Sequence, residues 1–236
     1  STNIQGELDI VWSFLTIKKV KLNLFLIKYN EYKMRTLDLF CGTKSFTKIA
    51  EKHGHTTTTL DILPKFNPTY CCDIMEWNYK ELPVGYFDII WASPNCKDYS
   101  SLNFLSKKIK DLTISNNLVK KVIEIIEYFD PKYWYIENPQ SGSLKEQEFM
   151  EYIPYNDIDY CKYGYKYRKR TRIWNNNEDW TGKILCKKNS YCENKKAEGK
   201  HINFRWITRG SGTTSRWEER ISIPKLLMEE ILLLSN

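Results

Sequence analysis

Residues 87–96, Phe-Asp-Ile-Ile-Trp-Ala-Ser-Pro-Asn-Cys, constrain what this chain can fold into more than any other stretch. Phe87 to Ala92 is apolar and partly β-branched, as a buried strand is, and the Ser-Pro-Asn that follows is a turn signal. In an open α/β sheet, ligands bind beyond the carboxyl ends of the strands. Cys96 therefore falls where chemistry is usually done. A thiolate there can act as a nucleophile if positive charge or helix N–H groups keep it ionised. A lone cysteine can instead be packing, and the remaining motifs have to decide.

The same strand-then-turn unit occurs earlier. Arg35 to Phe40 reads as the first strand and runs into Phe40-Cys41-Gly42-Thr43-Lys44-Ser45. A short helix follows, with Phe46, Ile49 and Ala50 on one side and Gly54 at its C-cap. A strand, a tight glycine turn and a helix bring backbone N–H groups to a nucleotide-like ligand, although many such turns contain one glycine. Thr56 to Ile62 is a β-branched second strand ending in Asp61, an acid placed either to bind ribose hydroxyls or simply to face solvent. Tyr70 to Ile74 reads as a shorter strand with Asp73 near its end. Cys71 and Cys72 fall on opposite sides of it, which suits packing better than metal.

Beyond Cys96, residues 97–110 are polar, basic and Ser-rich, and are expected to form a loop over the site. Residues 115–129 are an amphipathic helix with Leu118, Val122, Ile125, Ile126 and Phe129 on one stripe and Ser115 as a candidate N-cap. Tyr133 to Glu137 is the next strand, closed by Glu137-Asn138-Pro139, where the proline forces Asn138 extended. Glu137 is thus a second strand-end carboxylate, for chemistry or for a salt bridge. Tyr155 to Cys161 is another strand. Residues 163–174 then interleave aromatics with cations, a pattern suited to phosphate contact and base stacking or to a solvated basic strand. Arg170 and Arg172 share one face of it.

Residues 175–215 are polar and carry Cys186, Cys192 and His201. With Cys161 they form a Cys3His set able to close a tetrahedral zinc site, although the spacing is not a common finger pattern. Arg209 to Thr214 reads as a flexible loop. Ser222-Ile223-Pro224 opens a last helix carrying Leu226, Leu227, Ile231 and Leu232. Residues 1–33 are ambiguous, either an added element or an arm.

A chain of 236 residues suits one domain, and 42% hydrophobic residues suffice for a core, so a disordered protein is excluded. The net charge of +7, with Lys and Arg concentrated after position 160, is compatible with a polyanionic partner. Seven cysteines, an odd count in a chain too large to need disulfide staples, indicate a reducing compartment. Neither a cleavable signal peptide nor an apolar run long enough to span a bilayer is visible.

Taken in order, the motifs D-L-F-C-G-T, Asp61, Asp73-Ile74, S-P-N-C, E-N-P and R-T-R-I-W resemble those of 5-methylcytosine DNA methyltransferases, over residues 35 to about 234. The Tyr-Cys-Lys-Tyr-Gly segment and the closing R-G-S-G-T…R-I-S-I-P-K-L-L resemble the short enzymes of phages and large DNA viruses. The resemblance implies an α/β, Rossmann-like methyltransferase fold dependent on S-adenosylmethionine. A minimal C-terminal insertion, a candidate for stabilisation by structural zinc, would replace a large target-recognition domain. Residues 1–33 would be an N-terminal extension and 34–236 the catalytic domain, with 175–215 as the reduced recognition region.

By motif, the resemblance implies that Phe40, Gly42, Thr43 and Ser45 line the methionine side of the cofactor. Asp61 and Ile62 would hold the ribose and adenine edge, Asp73 and Ile74 would address the adenine, and Pro94 would close the pocket. Cys96 would be the nucleophile, Glu137 would face the target cytosine, and Arg170 and Arg172 would lie near the base and its phosphate. The implied substrate is DNA, with RNA or a catalytically inactive nucleic-acid-binding role as alternatives. A monomer inside the cell, cytoplasmic or nuclear and off the membrane, is expected. A metal-dependent enzyme is disfavoured, because the zinc ligands lie away from the Cys96 motif in sequence. Three departures stand out: Lys44 replaces a second glycine, Asn95 replaces a second proline, and the basic motif holds one residue more. Only a short stretch separates Trp174 from the last motif, which implies short or relaxed sequence recognition.

Overall fold

Strands buried on both faces form a sheet in the computed structural model, which describes residues 33–99, 111–187, 191–195, 200–202 and 221–235. The strands are β1 (Arg35–Leu39), β2 (Thr56–Asp61), β3 (Tyr70–Cys71), β4 (Ile89–Ala92), β5 (Tyr133–Pro139), β6 (Tyr155–Asp159) and β7 (Arg170–Asn175). They form a seven-stranded sheet in the order β3-β2-β1-β4-β5-β7-β6. Strands β1 to β5 pair in parallel, while β7 runs antiparallel to both β5 and β6. The chain moves from β1 outward through β2 and β3, then restarts at β4 on the other side of β1. That reversal opens a crevice at the carboxyl ends of β1 and β4, where α/β sheets take their ligands. The architecture is the expected Rossmann-like α/β fold.

Among the described residues, three α-helices cover the sheet: α1 (Ser45–Lys52), α2 (Thr113–Phe129) and α3 (Lys225–Leu234). Side chains alternate between the two faces, as strand geometry requires. Leu37, Leu39, Ile90, Ala92 and Ile136 pack with Val119, Val122, Ile125 and Phe129 of α2. Ile89, Trp91, Tyr135 and Ile173 pack on the opposite face with Phe46, Ile49 and Ala50 of α1 and Leu227, Met228, Ile231 and Leu232 of α3. Each fully buried side chain of this size contributes about 1.5–3 kcal/mol, so both layers hold the crevice rigid. Residues Met34–Ser235 form one compact unit. Among the described residues, no helix is long and apolar enough to cross a membrane.

Several element boundaries differ from expectation for local reasons. Phe40 leaves β1 with a φ of 58° and so begins the turn instead of ending the strand. The third strand stops at Cys71, because Asp73 bends the chain by accepting the Met75 N–H. Helix α2 begins two residues before Ser115, whose hydroxyl donates to Asp98 instead of capping the helix. Strand β5 continues through Pro139, which pairs with Thr171. Strand β6 ends at Asp159, and Tyr160–Tyr163 forms a 3₁₀ turn. On α3, Met228 is buried and Leu226 is exposed. The expectations for residues 1–32, for the 97–110 loop beyond residue 99 and for the 209–214 loop fall outside the described residues.

Candidate active site

The first wall of the crevice is the turn after β1. Gly42 has a φ of 47° and Lys44 one of 59°, both in the left-handed region that suits glycine and costs other residues roughly 1–2 kcal/mol. Lys44 holds this conformation with its ammonium on the Asn67 carbonyl, 2.6 Å away. The long side chain is thus drawn off toward the loop after β2. Ser45 and Thr43 bring their hydroxyls within 3.3 Å of each other at the start of α1, and Ser45 Oγ also accepts the Ile223 N–H at 3.1 Å. The turn is thereby tied to the segment entering α3.

Asp61 closes β2 and is 7% exposed. Its Oδ2 accepts the Gly42 N–H at 3.0 Å and its Oδ1 the Leu63 N–H at 2.9 Å. The carboxylate is clamped between the two loops, and each oxygen keeps further lone-pair capacity. Nearby, Ile74 is buried, Asp73 and Phe40 are half-buried and Ile62 is exposed. Beneath the turn, Asp38 of β1 accepts the Thr47 hydroxyl at 2.6 Å. Burial pushes the Asp38 carboxyl up to about 7, against the opposing hydrogen bonds from Thr47. Burial, with Asp38 and Asp61 beside it, likewise pushes the Cys41 thiol up to about 12.

The opposite wall follows β4 and β5. Pro94 is buried, while Asn95 and Cys96 are exposed. Asn138, fully buried on β5, donates from Nδ2 to the Pro94 carbonyl at 3.1 Å. Asn95 makes its own turn by accepting the Lys97 N–H at 3.0 Å, which gives the loop the local support that a second proline would otherwise supply. Beyond Cys96, Asp98 accepts the Ser115 hydroxyl at 2.6 Å, and the Tyr99 hydroxyl donates to Asn116 at 2.8 Å. The Cys96 loop is therefore fastened to β5 on one side and to α2 on the other.

Glu137 is buried next to Asn138 and faces the other side of β5. Its Oε1 accepts the Tyr160 hydroxyl at 3.0 Å and lies 3.4 Å from the Lys169 ammonium. Burial and the Glu137 carboxylate push the Tyr160 phenol well above its usual range, so Tyr160 remains a donor.

The two arginines lie on the opposite face of β7 from Glu137, because Glu137 pairs with Ile173 and Asn138 with Arg172. Arg172 forks onto Asp157 at 2.8 and 3.0 Å. Arg170 forks onto Asp159 at 3.2 and 2.8 Å. Arg172 thus shares a face with Asn138, the residue that holds the Cys96 loop, and Lys169 is the cation nearest Glu137.

Strand-end position singled out Cys96, Asp61 and Glu137 in the sequence. Asp38, Lys169 and Tyr160, which the structure brings to the same crevice walls, were not singled out. Asp38 did leave a signal, as a single acid inside the otherwise apolar strand Thr-Leu-Asp-Leu. In a separate place, Cys161, Cys186, Cys192 and His201 bring their ligand atoms within 4.8 Å of one another.

No family model matches the chain. The structure has partial likeness to solved methyltransferases. Against Entamoeba histolytica EhMeth the identity is 16% and the TM-score 0.46, covering 78% of this chain and 62% of that one. Against Spodoptera frugiperda DNMT2 the identity is 15% and the TM-score 0.40, covering 77% and 61%. The chain thus spans about three fifths of each of those two. The probable DNA (cytosine-5)-methyltransferase of Frog virus 3 (isolate Goorha) is 35% identical over 219 residues, which is 84% of this chain and 99% of the viral protein. That identity runs along almost the whole viral protein, and on it the chain belongs to the DNA (cytosine-5)-methyltransferase family.

Proposed function

We propose that this protein transfers a methyl group from S-adenosylmethionine to carbon 5 of cytosine in DNA, through a covalent bond between Cys96 and the base. The observation that carries this reading is the joining of two strand ends. β4 and β5 are adjacent and parallel, with Ala92 paired to Ile136. The loop that carries Cys96 therefore leaves β4 beside the part of β5 that carries Glu137 and Asn138, and Asn138 ties that loop to β5.

The chain's own residues fit the cofactor. Asp61 presents a carboxylate fixed by two backbone donors at the end of β2, where a ribose diol is bound in folds of this kind. Buried Ile74 and half-buried Phe40 offer apolar surface for the adenine and methionine portions. Lys44 directs its charge away, onto Asn67. When bound, S-adenosylmethionine supplies the electrophilic methyl group that carbon 5 takes.

Cytosine carbon 5 is a poor nucleophile, and the residues on the other wall address that problem. Cys96 Sγ, as the thiolate, adds to ring carbon 6, and the displaced electron pair makes carbon 5 nucleophilic. Glu137, as the carboxylic acid, gives its proton to ring nitrogen 3 as negative charge develops there, and takes it back when the bond to Sγ breaks. With Oε1 held by Tyr160 and Lys169, Oε2 is the oxygen that meets the ring. Arg172, held by Asp157 on the face it shares with Asn138, is assigned to the exocyclic oxygen and the thiolate, and Arg170, held by Asp159, to the backbone phosphate. After methyl transfer a base removes the carbon 5 proton, the bond to Sγ breaks and the thiolate is regenerated. A duplex substrate must turn its cytosine out of the stack, at about a few kcal/mol.

Radiolabelled S-adenosylmethionine with unmodified DNA and RNA tests this reading, with Cys96→Ala alongside. Label is expected in DNA with wild type and not with the variant, and a duplex containing 5-fluorocytosine should trap a covalent adduct. Transfer that persists in Cys96→Ala would remove Cys96 as nucleophile. Label confined to RNA would move the substrate to that class.

A further inference from the structure

One cluster of reactive side chains takes no part in methyl transfer. Cys161 lies in the 3₁₀ turn after β6, while Cys186, Cys192 and His201 come from the segment after β7. The three cysteines are almost wholly buried and form a small core of their own. All three are free thiols. His201 Nε2 lies 3.4 Å from Cys192 Sγ and 3.8 Å from Cys186 Sγ. In a tetrahedral site with Zn–S of about 2.3 Å and Zn–N of about 2.0–2.1 Å, neighbouring ligand atoms stand ~3.5–3.8 Å apart. The two His201 distances lie close to that spacing, and the four ligand atoms together lie within 4.8 Å, so a modest contraction closes the cage.

The surroundings of the cluster are those of a structural site. The carbonyl of Cys161 accepts the Asn194 amide at 2.8 Å, and the Cys186 N–H donates to Asp159 Oδ2 at 2.9 Å. Ile202, beside His201, donates its N–H to the Lys166 carbonyl. These bonds fix the backbone of the ligand-bearing turns, as outer partners do around metal ligands. Metal binding takes the thiols as thiolates and the imidazole in its neutral form.

We propose that Cys161, Cys186, Cys192 and His201 bind one structural zinc ion that fastens the segment after β7 to the end of β6. Four protein ligands close the coordination sphere, so the ion holds structure and activates no water. The site also reaches the candidate active site. Asp159 receives the Cys186 N–H on the same oxygen that takes Arg170 Nη2. Zinc therefore sets the position of the carboxylate that orients Arg170.

The test is the metal content of the full chain, purified without a metal-affinity tag and dialysed against dilute zinc under reducing conditions. One zinc per chain is expected by atomic emission, and the Cys71→Ser control should keep it. Cys186→Ser and Cys192→Ser should each lose at least nine tenths of the metal. Cobalt substitution of the wild type provides a readout that does not depend on those variants folding. Tetrahedral cobalt with a sulfur-to-metal charge-transfer band is expected, and His201→Cys should retain metal with a stronger band, four thiolates replacing three. Wild-type protein with less than a tenth of an equivalent of metal would overturn the site, as would an octahedral cobalt spectrum or a disulfide among the three cysteines under reducing conditions. None of these readouts uses methyl transfer, so the outcome is independent of the proposed activity.

Discussion

Asp38 shows how one side chain beneath the crevice couples the fold to pH. It sits on β1 with 2% of its surface exposed and takes the Thr47 hydroxyl and N–H. Folded Asp38 keeps its proton to about pH 7, whereas an unfolded aspartate releases it near 3.8. Between those values the folded state binds more protons than the unfolded chain, so stability falls as pH rises. The loss begins as pH passes the unfolded value and is complete above the folded one. It amounts to at most roughly 4 kcal/mol. Asp38→Asn keeps an acceptor for Thr47 but has no proton to lose. Urea unfolding across that window should therefore show wild type losing stability relative to the variant as pH increases. A constant difference between the two proteins would mean that Asp38 is already ionised at the low end. Lys44 is the other residue at which local geometry and sequence disagree. A glycine would enter its left-handed conformation freely, and the hydrogen bond to Asn67 offsets only part of that cost.

At the scale of elements, the candidate site is a problem of aiming one loop. Residues 93–99 are held by Asn138 from β5, by Ser115 and Asn116 from α2 and by Ser143, whose N–H donates to the Tyr99 carbonyl. Asn138→Ala removes the bond from β5 to the Pro94 carbonyl, two residues before Cys96. An error of about 1 Å in a reacting atom can cost on the order of 100-fold in rate. Single-turnover methylation by Asn138→Ala should slow by roughly 10- to 100-fold, with formation of the 5-fluorocytosine adduct slowed in parallel. Binding of S-adenosylmethionine, measured by calorimetry, should stay within a few-fold, because Asp61 and the β1 turn are untouched. Equal losses in cofactor affinity and rate would instead mark a general defect of the fold.

The elements also show where sequence reading stops. The strand ends were legible because turn signals follow apolar runs, and these placed Asp61, Cys96 and Glu137. Period-two spacing correctly set Arg170 and Arg172 on one face. It could not say which face, since that follows from the pairing of Glu137 with Ile173 across β5 and β7. Lys169 was unreadable for the same reason: just before the strand, it falls on the side from which its ammonium comes within 3.4 Å of Glu137. Ser115 looked like a helix cap, but its partner Asp98 lies in a different loop.

For the molecule as a whole, the allocation of chain length bears on what DNA it can read. Strand β7 ends at Asn175 and α3 begins at Lys225, and the three candidate zinc ligands other than Cys161 lie within that interval. A segment so short, part of it committed to the cluster, can present few side chains to base edges. Each good bidentate contact is worth about 1–3 kcal/mol of discrimination, so one or two of them give a preference over a base pair or two. The +7 net charge favours phosphate contacts, which strengthen binding without selecting sequence. The expected product on a plasmid, read by bisulfite sequencing at low enzyme, is methylation in a context of about two base pairs, with neighbouring contexts modified more slowly by roughly 10- to 100-fold. Raising the salt concentration should weaken binding to preferred and other sequences by nearly the same factor, because the lost contacts are to phosphate. Methylation confined to one motif of five or six base pairs would contradict this account, and would require base-reading contacts from outside the interval between β7 and α3.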